Sequence, residues 1–135
     1  MSGETNLDKL LASMSPQLDD AEYVFCSIEN ARYGDFSRLE PVAAIGEAEG
    51  LTLIVPRIRA DEAGLGYESV YRRITLRVHS SLDAVGLTAA FSGKLTRYGI
   101  SANVVAGYYH DYVFVHCQHA EKAIDALDEL AREAQ

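Results

Sequence analysis

Between Arg72 and His79 apolar and polar side chains alternate without a break. Ile74, Leu76 and Val78 fall on one side of an extended chain, and Arg73, Thr75, Arg77 and His79 fall on the other. That period predicts a strand with one face in a core and the other wet. Directly afterwards the period changes: Ala84, Leu87, Phe91, Leu95 and Tyr98 recur at helical spacing. The strand therefore turns into a helix around residues 79–87, with Ser80 or Ser81 as the expected N-cap. Asp83 is expected in the first turn, where a carboxylate offsets the positive helix end, and Gly99 is the expected stop. Ser101–Tyr109 and Tyr112–Cys117 read as two further strands joined at His110 and Asp111. Val113, Val115 and Cys117 are expected on one face, with Tyr112, Phe114 and His116 on the other. A second layer or a second subunit is the natural cover for so much aromatic surface. The closing helix starts near His119 and turns Ala120, Ala123, Ile124, Leu127, Leu130 and Ala131 inward. Glu121, Asp125, Asp128, Glu129 and Glu133 then form its solvated face.

The first half has a fainter version of the same pattern. Asn6 can cap a short helix carrying Leu7, Leu10, Leu11 and Met14 on one side, which Ser15 and Pro16 end; it is expected to cover a face or edge of a sheet. Tyr23–Ile28 is apolar at both parities, as in a strand covered on both sides. Residues 29–40 read as a polar loop. Val42–Glu47 and Leu51–Val55 form a hairpin around Glu49 and Gly50, and Arg59–Gly64 is a weak helical segment ended by Gly64 and Gly66. A turn, a β-rich strand and an Ala/acid-rich helix start thus occur in the same order after Gly50 and after Asp111. The two halves read as copies of one β-(α)-β-β-α unit, the first with a loop at residues 29–40 in place of its long helix. The fold class that follows is α+β, with antiparallel sheets and helices packed on one face. The expected modules are residues 1–68 and 69–135, packed as one body.

Length and charge narrow the function. With 135 residues, two independent cores of half that size would each be marginal, so one body is expected. A net charge of -8 and the lack of any Lys/Arg cluster able to follow a phosphate backbone exclude nucleic acid and anionic membranes as expected partners. The polar N-terminus has neither basic flank nor apolar signal core, and no apolar run is long enough to span a bilayer; a cytoplasmic protein is expected. Cys26 and Cys117 form no C-x-x-C pair and are expected as two small buried hydrophobes.

Enzymatic residue types are present without an enzymatic arrangement. His79 stands beside Ser80 and Ser81, and His110 beside Asp111, but no G-x-S-x-G elbow exists and chain neighbours rarely converge on one reacting atom, so no catalytic residue is expected. His116, Cys117 and His119 would share a metal only if the strand ended there, because His116 and Cys117 point to opposite faces; neither metal nor other cofactor is expected. On the helix, Gly86, Ala89, Ala90 and Gly93 form a row of small residues. Each helical Gly costs about 1 kcal/mol relative to Ala, so the row is either an exposed face that is merely small or one that admits a ligand or a partner's backbone.

Asp83, Ala84, Val85, Gly86 and Leu87, with Leu95 and Gly99–Ser101 downstream, resemble the core pattern of ACT domains, small ferredoxin-like regulatory modules. Tyr23–Cys26, Glu49–Leu53, Val78–Ala89 and Asn103–Asp111 resemble a bacterial subfamily of stand-alone tandem ACT-like proteins. Val85 stands where many members carry Pro, and the first half lacks the matching Asp and Gly. The resemblance implies a non-catalytic regulatory or sensor module that binds a small molecule, such as an amino acid, where the strand-to-helix corner meets a neighbouring module. It also implies a homodimer or higher homo-oligomer. The ligand-binding residues expected on this basis are Ser80, Ser81, Asp83, Val85, Gly86, Leu87 and Asn103. Main-chain N–H groups at the helix start would take the ligand's carboxylate, and Asp83 or Asn103 its ammonium. The competing reading is a structural module that mediates assembly without a metabolite.

Overall fold

A computed structural model describes residues 6–77 and 85–135. It divides the chain into two units, Asp20–Tyr71 and Met1–Asp19 with Arg72–Gln135. In the first, β1 (Gln17–Ile28) enters from the preceding unit and pairs antiparallel with β3 (Gly50–Pro56), which pairs antiparallel with β2 (Ala43–Glu47). The register sets Val24, Cys26 and Ile28 opposite Val55, Leu53 and Leu51. These side chains share one face with Ala60 of α1 (Arg57–Ala63) and Leu39 of the loop, and together they form one apolar core. The helix ends at Gly64, whose φ of 69° continues the chain in a conformation that residues with a Cβ adopt at a cost.

The loop expected at residues 29–40 is a loop, tightened by one 3-10 turn at Ser37–Leu39 and by the Asp35 carboxylate, which accepts from the Arg32 N–H at 2.8 Å. β1 differs from expectation. It is longer, and it is covered on both sides only at Tyr23: Phe25 is half-buried and Ser27 exposed. A run of apolar residues is buried on both faces only where a layer packs against each.

In the other unit β4 (Tyr71–Leu76) neighbours β6 (Asp111–His116), which pairs antiparallel with β5 (Asn103–Ala106). Both units thus order their strands first, third, second, and in both a helix follows the third strand, as the internal repeat requires. α2 (Leu87–Arg97), α3 (Ala120–Glu133) and a short N-terminal helix α0 (Leu7–Ala12) cover one face of this sheet. Ile74, Leu76, Val113 and Val115 meet Leu87, Phe91, Leu95, Ala123 and Leu127 there, with Leu10, Leu11 and Met14 from α0. The Asn6 side chain caps α0 by accepting from the Lys9 N–H at 3.0 Å. This helix packs on α2 and α3, rather than lying over a sheet edge. At the end of α2, Gly99 N–H donates to the Thr96 carbonyl and Ile100 N–H to Leu95, a complete Schellman stop.

Two further corrections concern the second hairpin. β5 ends at Ala106, and the turn is Gly107–His110, closed by the Gly107 N–H donating to the His110 carbonyl at 2.9 Å. Asp111 is therefore a buried strand residue; burial pushes its carboxyl pKa up, partly offset by the nearby His110. Tyr108 and Tyr109 stand exposed on the turn, edge to face at 5.1 Å. Cys26 is buried, and burial raises its thiol pKa, but Cys117 is exposed: β6 stops at His116 and a 3-10 turn, Cys117–His119, carries the cysteine out of the strand's alternation.

Candidate functional site

The α2 helix begins at Leu87, several residues later than a Ser80 or Ser81 cap would place it. Its N-cap is Gly86, and its first turn holds no acidic residue. Ser80, Ser81 and Asp83 lie outside the described residues, as do His79 and Ala84. The physical reason for the late start is Gly86 itself. Its φ of 99° is a left-handed conformation, so the chain reverses there before the helix can propagate. A Cβ at Gly86 would lie 3.3 Å from a Leu7 methyl of α0, which makes the corner a close packing point as well. The Ala90 N–H donates to the Gly86 carbonyl at 2.9 Å, leaving the amides of Leu87, Thr88 and Ala89 as the first-turn donors without a helical acceptor.

The remaining expected site residues separate. Val85, 87% exposed, stands in solvent next to the cap, whereas Leu87 is buried in the helix-covered core. Asn103 pairs with Phe114 across the β5–β6 ladder, and its side-chain amide donates to the Phe114 carbonyl at 3.2 Å. Its neighbour Val104 belongs to the same core as Leu87, so alternation puts Asn103 on the opposite face of the sheet. Val85 and Gly86 therefore share the corner, and Asn103 is not beside Leu87. Of the row of small residues, Ala90 packs on the core, while a Cβ at Gly93 would meet open space.

One polar cluster was not anticipated. Lys94 is only 4% exposed, and its ammonium donates to Glu129 at 2.7 Å and to Glu133 at 3.0 Å. The Tyr98 hydroxyl donates to the other Glu129 oxygen at 2.9 Å. Glu129 and Glu133 are thus a clamp on a cation and not simply a solvated face. The available signal was a lysine standing on the apolar stripe of α2, seven residues after Leu87. The two hydrogen bonds to carboxylates raise the Lys94 pKa, and those from Lys94 and Tyr98 lower that of Glu129. The signs give a window. The Glu129 contribution is present above the ordinary carboxylate range and is lost as pH falls through its lowered value; that of Lys94 is present below the ordinary lysine value and is lost as pH rises through its raised one. We expect the melting temperature to fall in acid below the ordinary carboxylate range, and Lys94→Met to flatten that fall. An unchanged acid limb in the variant would show that other carboxylates govern it.

Among the described residues no group of three or more His, Cys, Asp or Glu is placed to hold a metal ion, and no helix is long and apolar enough to cross a membrane. His116 and His119 are edge to face with ring centroids 6.3 Å apart. Where the loop at residues 29–40 replaces a helix, a cavity of about 320 Å³ remains between Phe36, Ser37 and Glu40 and the floor formed by Leu51 and Leu53.

The repeated strand order agrees with what family comparison finds. Models of the ACT domain match residues 2–72 and 68–129. The chain belongs to the ACT domain family. ACT domains are regulatory modules, and here two of them stand in tandem. A Vibrio cholerae protein of unknown function, described as a possible transport protein, shares 50% identity over 93% of this chain and 95% of its own, with a TM-score of 0.84. The ligand-free regulatory subunit of aspartate kinase from Thermus thermophilus has the same tandem ACT fold at 12% identity, with 87% and 97% of the two chains covered and a TM-score of 0.65. An Agrobacterium tumefaciens protein matches at 15% identity over 86% and 87%, with a TM-score of 0.68. Comparison with curated proteins finds no match.

Proposed function

We propose that this tandem ACT protein is a non-catalytic regulatory module. In this reading it binds a small molecule, a free amino acid fitting best, at the strand-to-helix corner Ser80, Ser81, Asp83, Val85, Gly86 and Leu87. It acts in the cytoplasm on a separate partner, as a homodimer or higher homo-oligomer, with residues 1–68 and 69–135 as its modules. The observation that carries the reading is the Gly86 cap, which bends the chain at a φ of 99° and leaves three main-chain donors at the start of α2 with no acidic side chain in that turn. Such donors suit a carboxylate. Asp83 is the acceptor proposed for the ammonium; Asn103 is kept as a second acceptor only through its side-chain oxygen, since its amide nitrogen already donates to Phe114.

A thermal-shift screen against the amino acids tests the proposal. A specific ligand at a hundredfold excess over its Kd adds about 2.7 kcal/mol of stability, a readily measured rise in Tm. Val85→Glu should remove that rise and leave the Tm of the free protein nearly unchanged, because Val85 contributes little to the core. The competing assembly reading draws on exposed Tyr108 and Tyr109 and on the open helix surface at Gly93. If no amino acid shifts the Tm, and the Tm instead tracks protein concentration, the assembly reading replaces the sensor.

A further inference from the structure

We infer that the unit Asp20–Tyr71 carries a second site, independent of the Gly86 corner, which takes an organic cation of the alkylammonium class in an aromatic-walled groove. The groove has a volume of about 400 Å³ and lies on the side of β1 that carries half-buried Phe25 and exposed Ser27. Phe25 and Tyr71 line it with their ring centroids 5.0 Å apart and their planes at 63°, so the two rings make a corner and do not stack flat on each other. Tyr67 lines it as well, and its position is fixed at the hydroxyl, which accepts from Arg57 Nε at 3.1 Å and donates to Asp61 at 2.7 Å. Aromatic rings held by their own contacts present π faces that need no reorganisation to receive a cation.

The polar part of the lining has one sign. Glu68 supplies a carboxylate, Ser27 and Ser69 supply hydroxyls, and the lining has no Lys, Arg or His. The nearby guanidinium of Arg57 is covered by two carboxylates, Glu22 at 2.9 Å and Asp61 at 3.8 Å. The hydrogen bonds to Tyr67 and to Glu22 keep the Arg57 pKa raised. In this lining a carboxylate or phosphate ligand would meet the Glu68 carboxylate and no cationic side chain. An ammonium surrounded by methyl or methylene groups meets ring faces for its apolar shell and Glu68 for its charge. The net charge of -8 draws the same class of ligand toward the protein. In the sequence, Phe25 and Ser27 have the same parity on β1, while Tyr67 and Tyr71 arrive from the segment after α1; only the fold brings them to one groove.

The test is a titration of the intact protein with choline, followed by the proton resonance of its methyl groups. Ring currents should shift that resonance upfield with saturation. The uncharged isostere of choline, carbon replacing the ammonium nitrogen, should bind at least about five-fold more weakly, and Tyr71→Leu and Glu68→Gln should each weaken choline about two- to five-fold. Glu68 is exposed, so its variant reads binding even if the Tyr71 variant fails to fold. No saturable shift with choline, equal binding of the uncharged isostere, or unchanged affinity in Glu68→Gln would each overturn the inference. None of these outcomes depends on whether an amino acid binds at the Gly86 corner.

Discussion

Phe91→Ala is expected to cost about 3–5 kcal/mol, a large share of the roughly 5–15 kcal/mol that holds a domain together. Phe91 is fully buried on α2, in the same core as Ile74 of β4, Val113 and Val115 of β6, Leu127 of α3 and Leu11 of α0. Removing the ring leaves a cavity within a core built from three helices and a sheet, and close-packed cores of that kind relax only partly. Urea unfolding should show a lower midpoint at an unchanged m-value. A loss below about 1 kcal/mol would mean that α0, which is short and near the chain end, collapses into the vacancy. Ile124→Ala, at the half-buried margin of the same cluster, is the control and should cost less.

Gly50→Ala is expected to cost about 2–4 kcal/mol for a reason that has nothing to do with apolar burial. A Cβ at Gly50 would lie 2.5 Å from the Ile28 carbonyl oxygen at the end of β1 and 3.1 Å from the Cα of the next residue, Glu29, both main-chain atoms that have no side-chain freedom with which to yield. The φ of 146° adds strain of its own. Gly46→Ala, on the edge strand β2, is the comparison: its added Cβ meets nothing within 4 Å, and a change within about 0.5 kcal/mol is expected. Equal effects at the two glycines would refute the steric argument. The sequence suggests Gly50 as a turn residue, yet the turn lies at Ala48 and Glu49 and Gly50 begins β3 opposite Glu47. What requires glycine is the approach of another strand, which no local pattern announces.

The same distinction governs the site. Gly86→Leu, taken from the sequence alone, reads as a change that closes a pocket and spares the fold. With Gly86 in a left-handed conformation and Leu7 against it, the substitution also strains the backbone and displaces α0, so a loss of ligand response in that variant would be ambiguous. Val85 is the better probe because it is exposed. The resemblance offers Asn103 as an acceptor for the ligand's ammonium, but strand parity and the pairing of β5 with β6 turn it to the face away from Leu87.

Local spacing was enough to determine the class and order of the elements and the doubled β-(α)-β-β-α plan, because period, capping residues and turn residues act over a few neighbours in the chain; the ACT affiliation was legible only through the resemblance of Asp83–Leu87 and its companion segments to that family. Lys94 clasped by Glu129 and Glu133, the emergence of Cys117, the late start of α2 and the aromatic groove at Phe25 and Tyr71 were decided by tertiary structure alone. Each depends on which surfaces meet across tens of residues, and the free energy of such meetings is set by shape and desolvation at the contact, quantities that have no period to be read along a chain.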